Sequence, residues 1–305
     1  MPQTYVITGA TSFIGKRLTA QLLADGQQVC AVCRDEATAR QKLGDSKGLT
    51  VVEAQLEDYG RLSERIPHAD VFIHLAWEGT GHDGRNMTEV QQSNIRHSHE
   101  AMQQAVSMGC QLFVEAGSQA EYGTQLQTIT EDTPCQPFSE YGKAKLDVCR
   151  QGFAMAERLS IKYLHLRIFS LFGEDDHPWT LVMSCVDRML RNESIALSAC
   201  TQNWNFLYVA DAARQISLLC QYALQHDEFR HEVFNIASED TRQLREFVEE
   251  MHRLTRSHSV LQYGAIPQQH IVSLQPDISK LRNAIGFVSS VDFKTVINKI
   301  IHTHQ

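Results

Sequence analysis

The stretch that most constrains this chain is Tyr5-Val6-Ile7-Thr8-Gly9-Ala10-Thr11-Ser12-Phe13-Ile14-Gly15. It starts as a short apolar run, breaks into glycine, and continues as Lys16-Arg17-Leu18-Thr19-Ala20-Gln21-Leu22-Leu23 with apolar residues at helical spacing. That order reads as strand, tight turn, helix. Gly9 and Gly15, with the small Ala10 and Ser12 between them, let backbone N–H groups approach a ligand closely. The helix behind the turn aims its positive dipole end and unpaired N–H groups at whatever the turn holds. A pyrophosphate suits such a place, with Gly9, Thr11, Ser12, Phe13, Ile14 and Gly15 as its candidate residues. The alternative is a plain strand–turn–helix connection with incidental glycines.

Gln28-Val29-Cys30-Ala31-Val32-Cys33 is a second apolar strand and completes a βαβ unit of the length a nucleotide-binding fold uses. In a dinucleotide site the tip of this strand meets the adenosine ribose, where an acid would hold the hydroxyls and repel a 2′-phosphate. Here the tip reads Cys33-Arg34-Asp35. A neutral cysteine replaces the acid, and the Arg34 guanidinium can grip a phosphate in bidentate fashion. The expected cofactor is therefore NADP, with NAD as the alternative. In that alternative Arg34 is a solvated loop charge and Asp35 holds the ribose.

The remaining chain repeats the strand–helix alternation. Strands are expected over 49–54, 69–76, 111–118 and 163–168, and helices over 59–66, 87–108 and 141–159. The fourth strand, Ala69-Asp70-Val71-Phe72-Ile73-His74-Leu75-Ala76, is almost continuously apolar, as a parallel strand buried on both faces reads. The fold class is thus α/β, a doubly wound parallel (Rossmann) sheet. Right-handed crossovers bring all the strands' C-terminal ends to one edge, where ligands bind. Gln55, Leu56, Leu75 and Ala76 fall on that edge and join Cys33 and Arg34 in the cofactor set. After Gly173 the pattern loosens, with helices expected over 179–191, 210–225, 244–255 and 293–302 and short strands over 194–197, 206–209 and 233–237. The expected division is a dinucleotide-binding domain over 1–172 that also receives about 205–237. A small discontinuous α/β substrate lobe is built from 173–204 and 238–305.

Composition removes whole classes of function. The 305 residues carry a formal net charge of −8 without a basic stripe, so nucleic acid is not an expected partner. No apolar run approaches the roughly 20 residues of a membrane span. The first strand begins almost at the N-terminus, leaving no room for a signal peptide. Eight singly scattered cysteines read as reduced thiols of a cytoplasmic protein, and fourteen histidines show no metal-ligand spacing, so no metal is expected.

The sharpest chemical feature is Tyr141-Gly142-Lys143-Ala144-Lys145. Tyr141 and Lys145 stand four apart, on one helix face. A phenol ionises near pH ~10, too high for acid/base work at neutrality, and a nearby ammonium lowers that value. An i, i+4 pair on a solvated helix face is the bland alternative. Ser118, at the end of the fifth strand, can share a substrate oxygen with the phenol. Asn94, inside a helix, can hold a water or carbonyl that positions the lysine. Ser139 is a plausible N-cap for the helix that carries Tyr141.

Thr8-Gly9-Ala10-Thr11-Ser12-Phe13-Ile14-Gly15, His74-Leu75-Ala76, Asn94, Gly117-Ser118-Gln119-Ala120-Glu121-Tyr122-Gly123 and Tyr141-Gly142-Lys143-Ala144-Lys145 occur in the order of the extended short-chain dehydrogenase/reductases. The chain most resembles their nucleotide-sugar epimerase/dehydratase/reductase group. Arg167-Ile168-Phe169-Ser170-Leu171-Phe172-Gly173 and Trp204-Asn205-Phe206-Leu207-Tyr208-Val209-Ala210-Asp211 resemble that group's later motifs. The resemblance implies Tyr141 as acid/base, Lys145 as its partner, also touching the cofactor, Ser118 as the oxyanion-side donor and Asn94 as the fourth member. It also implies a nucleotide-sugar substrate and a homodimer packed through the helices over 87–108 and 141–159.

The departures narrow the chemistry. Dehydratases of the group carry Asp-Glu where this chain has Gln119 and Ala120, and neither an amide nor a methyl can shuttle the second proton. Members that epimerise C3 and C5 place a cysteine at the position of Ala120. Redox at one carbinol carbon remains. Trp204 replaces an arginine that pairs with the sugar's diphosphate, so Arg188, Arg191 or Arg282 must take over, or the substrate lacks a diphosphate. Ser170 stands where the group has asparagine. Glu121 stands where it has an apolar residue, either bonding a sugar hydroxyl or turned outward on a loop. Trp77, Gln119, Glu121, Ser170 and Trp204 are the expected substrate contacts. The expected activity is NADPH-dependent reduction of a nucleotide-linked 4-keto-6-deoxyhexose, with Tyr141 as proton donor. The alternatives are a nucleotide-sugar 4-epimerase and a dinucleotide-binding redox sensor.

Overall fold

A computed structural model of the chain describes residues 2–81, 83–267 and 272–303. The elements of the first half are β1 (Thr4–Thr8), α1 (Phe13–Ala24), β2 (Gln28–Cys33), α2 (Glu36–Leu43), β3 (Leu49–Glu53), β4 (Val71–His74), α3 (Thr88–Ser107), β5 (Leu112–Ser118), α4 (Glu140–Leu159) and β6 (Lys162–Ile168). The second half adds β7 (Ser170–Phe172), α5 (Leu181–Leu190), β8 (Ile195–Ala196), β9 (Asn203–Tyr208), α6 (Val209–Gln225) and β10 (His231–Ile236). It closes with β11 (Thr241–Gln243), α7 (Leu244–Leu254), β12 (Leu261–Gln262), α8 (Ser279–Ile285) and α9 (Phe293–Thr303).

Seven parallel strands form one sheet in the order β10-β6-β5-β4-β1-β2-β3. The chain winds outward from β1 through β2 to β3, then returns to β4 on the other side. The order therefore reverses between β1 and β4, which is where such sheets open a crevice for ligands. The apolar runs of β1, β4 and β5 are buried because helices cover both faces. On one face α1 and α6 pack through Leu18, Leu22, Ile216 and Leu219, all fully buried. Burying each such side chain stabilises the fold by about 1.5–3 kcal/mol. The other face is covered by α3, α4 and a 3₁₀ helix over Leu56–Glu64, through Ala101, Met102, Ala105, Met155 and Leu62.

A second apolar centre lies beyond Gly173. It joins β9 and α5, α7 and α9 around Phe206, Phe247, Phe293, Val186 and Ile297. Here β9 sits between β7, parallel to it, and β11, antiparallel to it. After β9 the chain goes back to the main sheet, through α6 on the first face and β10 beside β6.

Two local expectations are corrected. The helix expected over 59–66 is a 3₁₀ helix that starts at Leu56. Gly60 in its middle disfavours a regular α-helix, and Gln55 and Asp58 cap each other across its first turn. α2, β7, β11, β12 and α8 were not expected. Most are too short to show a period, and α2 starts because the Asp35 carboxylate accepts the Thr38 N–H at 2.7 Å.

Candidate active site

The glycine turn connects β1 to α1 at the switch point. Gly9 sits at φ +68°, where a side chain is strained. A Cβ on Gly15 would stand 2.2 Å from the Gly9 carbonyl oxygen, so the turn closes only without one. Ser12 caps α1 by accepting the Gly15 N–H at 3.1 Å. Beside the turn lies a cavity of about 950 Å³. Gly9, Thr11, Ser12, Phe13, Cys33, Arg34, Leu56, Leu75, Ala76 and Trp77 line it, all expected from sequence. Asp175, Asp176, His177 and Pro178, which follow β7, form its far wall and were not expected. Ile14 and Gly15 lie in the first turn of α1 and do not line the cavity. Gln55 turns away and donates to the Arg34 carbonyl at 2.9 Å. A turn closed tightly at Gly9 and Gly15 before a helix N-terminus, on a cavity of this size, fits a dinucleotide.

At the strand-β2 end, one oxygen of the Asp35 carboxylate caps α2 by accepting the Thr38 N–H at 2.7 Å. Burial raises the Cys33 thiol above its ordinary value and keeps it neutral. Arg34 is 75% exposed at the cavity rim, 4.0 Å from the Glu78 carboxylate. Lys16 and Lys42 line the same cavity.

The acid/base corner is assembled by β5 and α4. Ser139 caps α4 by accepting the Gly142 N–H at 3.1 Å, which sets the first turn where Tyr141 lies. Lys145 is 3% exposed. Its ammonium donates to the Ala116 carbonyl at 2.6 Å, lies 3.8 Å from the Glu115 carboxylate, and sits 3.3 Å from the centre of the Trp77 ring. Burial lowers the Lys145 pKa to about 8 against the raising influence of Glu115 and Glu121. Tyr141 is half-buried, edge-on to Trp77 at 6.1 Å, with the Arg85 guanidinium 4.3 Å over its ring.

The expectation that Lys145 acidifies the phenol is corrected in its physical detail. Burial raises the Tyr141 phenol, while the Ser118 hydroxyl and the Arg85 charge pull it down. The Lys145 ammonium is 6.0 Å from the ring centre, turned toward Ala116 and the Trp77 face. A buried ammonium needs acceptors and a π-face close by, and β5 and Trp77 supply them nearer than the phenol does. Ser118 ends β5 and accepts the Ala120 N–H at 3.2 Å.

Asn94 is buried, and its amide pairs with the Glu78 backbone in both directions, at 3.0 and 2.9 Å. It holds a loop carbonyl rather than a group on the lysine. Three residues earlier, Gln91 accepts the Trp77 indole N–H at 2.9 Å and donates to the carbonyls of Gly79 and Gly84 at 3.1 and 2.9 Å. These two amides brace the loop after β4 and so place Trp77 over Lys145.

Both readings of Glu121 are overturned. It is fully buried, bonded to His165 at 2.9 Å, to Arg167 at 2.8 Å and to the Ser118 N–H at 2.8 Å. Its backbone place in the turn after Ser118 points it under the sheet edge, so it reaches neither a sugar nor solvent. Those cationic partners hold its pKa near 2 against burial. Gln119 is half-exposed in that turn. Ser170 opens β7 opposite Phe206, and Trp204 packs between the second centre and a separate apolar cluster around Tyr122, Phe169 and Leu274. Neither lines the cavity. The proposed replacement cations are tied elsewhere: Arg188 to Glu193, Arg191 to Asp187 and Glu193, and Arg282 to Glu239. Arg85 is the cation that the structure brings to Tyr141.

Sequence reasoning missed Arg85, Glu115, His165 and His177. A signal existed for two of them. Leu112-Phe113-Val114-Glu115-Ala116 and Leu164-His165-Leu166-Arg167 place ionisable residues inside otherwise apolar buried strands. Among the described residues, Glu121, Cys149 and His165 bring metal-ligand atoms within 4.8 Å, but the Glu121 carboxylate is already held by Arg167 and His165.

The family model described as the NAD dependent epimerase/dehydratase family matches residues 5–237. Over 224 residues the chain is 25% identical to the dTDP-6-deoxy-L-talose 4-dehydrogenase (NAD(+)) of Aggregatibacter actinomycetemcomitans, covering 69% of this chain and 77% of that one. The UDP-glucose 4-epimerase of Thermotoga maritima, solved with UDP-glucose, superposes with a TM-score of 0.86 at 19% identity, over 99% of this chain and 100% of that one. MoeE5 in complex with UDP-glucuronic acid and NAD superposes with a TM-score of 0.82 at 24% identity, over 98% of each chain. Both structures share the doubly wound α/β fold expected from sequence. No described helix is long and apolar enough to cross a membrane.

Proposed function

The chain belongs to the NAD dependent epimerase/dehydratase family of extended short-chain dehydrogenase/reductase enzymes, and within it we propose an NADPH-dependent reductase of a nucleotide-linked 4-keto-6-deoxyhexose. The observation that carries this reading is the corner at β5 and α4. It presents one hydroxyl pair, Ser118 and Tyr141, with Gln119 and Ala120 where a second acid/base pair would stand. One proton donor suits reduction of one carbonyl, and nothing there supports elimination of water. The similar 4-dehydrogenase acts, by its name, at the same carbon of a 6-deoxy sugar nucleotide.

A nicotinamide dinucleotide supplies the hydride when bound. Gly9, Thr11, Ser12 and Phe13 would hold its pyrophosphate at the α1 N-terminus, and Arg34 with Lys42 its 2′-phosphate. Tyr141 donates the proton to the carbonyl oxygen while Ser118 hydrogen-bonds that oxygen. Lys145 keeps a positive charge beneath the site, and Asn94 and Gln91 position the Trp77 loop. Residues 173–204 and 238–305 form the substrate lobe in this reading, and the enzyme works as a cytoplasmic homodimer.

One observation favours the 4-epimerase instead. The Glu78 carboxylate beside Arg34 competes with a 2′-phosphate and favours NAD, which an epimerase retains. Two incubations decide between them, one with NADPH and a 4-keto-6-deoxy sugar nucleotide and one with NAD and the corresponding 4-hydroxy sugar nucleotide. Stoichiometric NADPH oxidation is expected. Interconversion of 4-epimers without net oxidation replaces the reductase by the epimerase.

A further inference from the structure

We propose that Glu115 is a positioning residue for Lys145: a carboxylate built into the middle of the sheet that seats the ammonium against the Ala116 carbonyl and keeps it cationic under the active site. The proposal rests on the assigned role of Lys145 and adds a partner that the motif pattern lacks. Glu115 is fully buried, and among the described residues neither of its oxygens lies within hydrogen-bonding geometry of a partner, the Ser98 hydroxyl being the polar group that faces it. Its nearest cation is the Lys145 ammonium at 3.8 Å. The residue that follows it on β5, Ala116, provides the carbonyl to which that ammonium donates at 2.6 Å. β5 therefore presents both a carbonyl and a carboxylate to the ammonium that α4 carries, and the Trp77 face meets that ammonium at 3.3 Å.

The surroundings leave Glu115 no other function. In register it lies opposite His74 of β4 and His165 of β6. Burial lowers His74 to about 3, and its Nδ1 pairs with the Thr8 hydroxyl, so it offers no charge. His165, raised to about 10, is bonded to Glu121 and Tyr163. Ser98 of α3 faces the carboxylate, Glu121 follows Ser118 in the next turn, and Lys145 faces it from α4. Burial pushes Glu115 up to about 7, while Lys145 and then His165 pull it down. An unpartnered buried carboxylate is a poor way to stabilise a strand, since an apolar residue of similar volume does it better. Its ion-pair partner is the lysine at 3.8 Å, and an opposite charge at that range moves a pKa by roughly 1–3 units.

Glu115→Gln keeps the shape and removes the charge. The alkaline limb of the kcat profile is expected to move to lower pH by roughly 1–3 units, with KM and dinucleotide Kd within about twofold. Glu115→Asp should return the limb most of the way. An unmoved limb in the Gln variant overturns the proposal. Should that variant not fold, NMR titration of labelled lysine in the wild-type protein decides. Lys145 is expected to titrate in two coupled steps, and a single step at an ordinary lysine pKa overturns the proposal. The NMR result does not depend on turnover, so it separates failure of this proposal from failure of the assigned activity, which Tyr141→Phe tests.

Discussion

The two ends of the sheet's carboxyl edge are built on opposite principles. Between β1, β2 and β4 the wall is built on a turn that two glycines close tightly, a helix N-terminus and a neutral thiol. At β5 and β6 it is made of buried charge, with Lys145, Glu115, Glu121, His165 and Arg167 all lying under Ser118 and Tyr141. The first end can receive a polyanion without reorganising, because N–H dipoles are already aimed there. The second holds buried charges whose pKa values desolvation and close partners move in both directions, with Glu121 kept ionised, His165 kept protonated and Lys145 brought down to about 8. Removing a side chain should therefore hurt the charged end, and adding one should hurt the backbone end.

The largest effect is expected at the charged end. Tyr141→Phe should lower kcat by about 10²–10⁴-fold while dinucleotide Kd stays within about threefold. Steady-state kinetics beside a fluorescence titration measures both, and a loss under tenfold would end the acid/base assignment. Next comes the ion cluster below it. Glu121→Gln leaves Arg167 and His165 buried without their carboxylate and should cost about 3–5 kcal/mol of stability. The same pair predicts a pH dependence. Glu121 is held at about 2 instead of 4.5, so its contribution is present above pH 4.5 and fades as pH falls toward 2. His165 is raised from 6.5 to about 10, so its contribution is full below pH 6.5 and fades as pH rises toward 10. Thermal melts should show this dome in the wild type and a flatter curve in the variant.

At the backbone end the sign is reversed. Gly15→Ala adds a Cβ 2.2 Å from the Gly9 carbonyl and should cost about 1–3 kcal/mol of stability. It should weaken dinucleotide binding by at least about tenfold. Binding unchanged by that methyl would break the contrast between the two ends. The smallest effect belongs to the rim. Arg34→Ala should lower the NADPH-over-NADH preference by about tenfold, the loss of one charged contact to phosphate. An unchanged ratio in competition assays would assign the rim to NAD.

The backbone end was legible in the sequence because spacing encodes it. Glycines around a turn and a second strand at the right distance define Gly9, Ser12, Gly15 and Cys33 without knowledge of any partner. Tyr141 and Lys145 were legible for the same reason, being one helical turn apart. The charged end was not, because its meaning lies in contacts across the fold. Glu121 meets His165 and Arg167 at separations of 44 and 46 residues, and its place in a turn suggested solvent. Glu115 reads as an oddity in a strand until α4 is laid over it. Asn94 was found, but its amide serves the loop at Glu78, a course that no local pattern announces.

That brace has one more consequence. Trp77, Glu78, Gly79 and Gly84 are held by two amides on a helix outside the loop, which grip the peptide groups of the last three and, of side chains, the Trp77 indole. Identities at 78, 80 and 81 can drift, and substrate preference with them, while Gln91 and Asn94 preserve the contour. Randomising the loop should give a library rich in folded proteins, and randomising the helix pair should not.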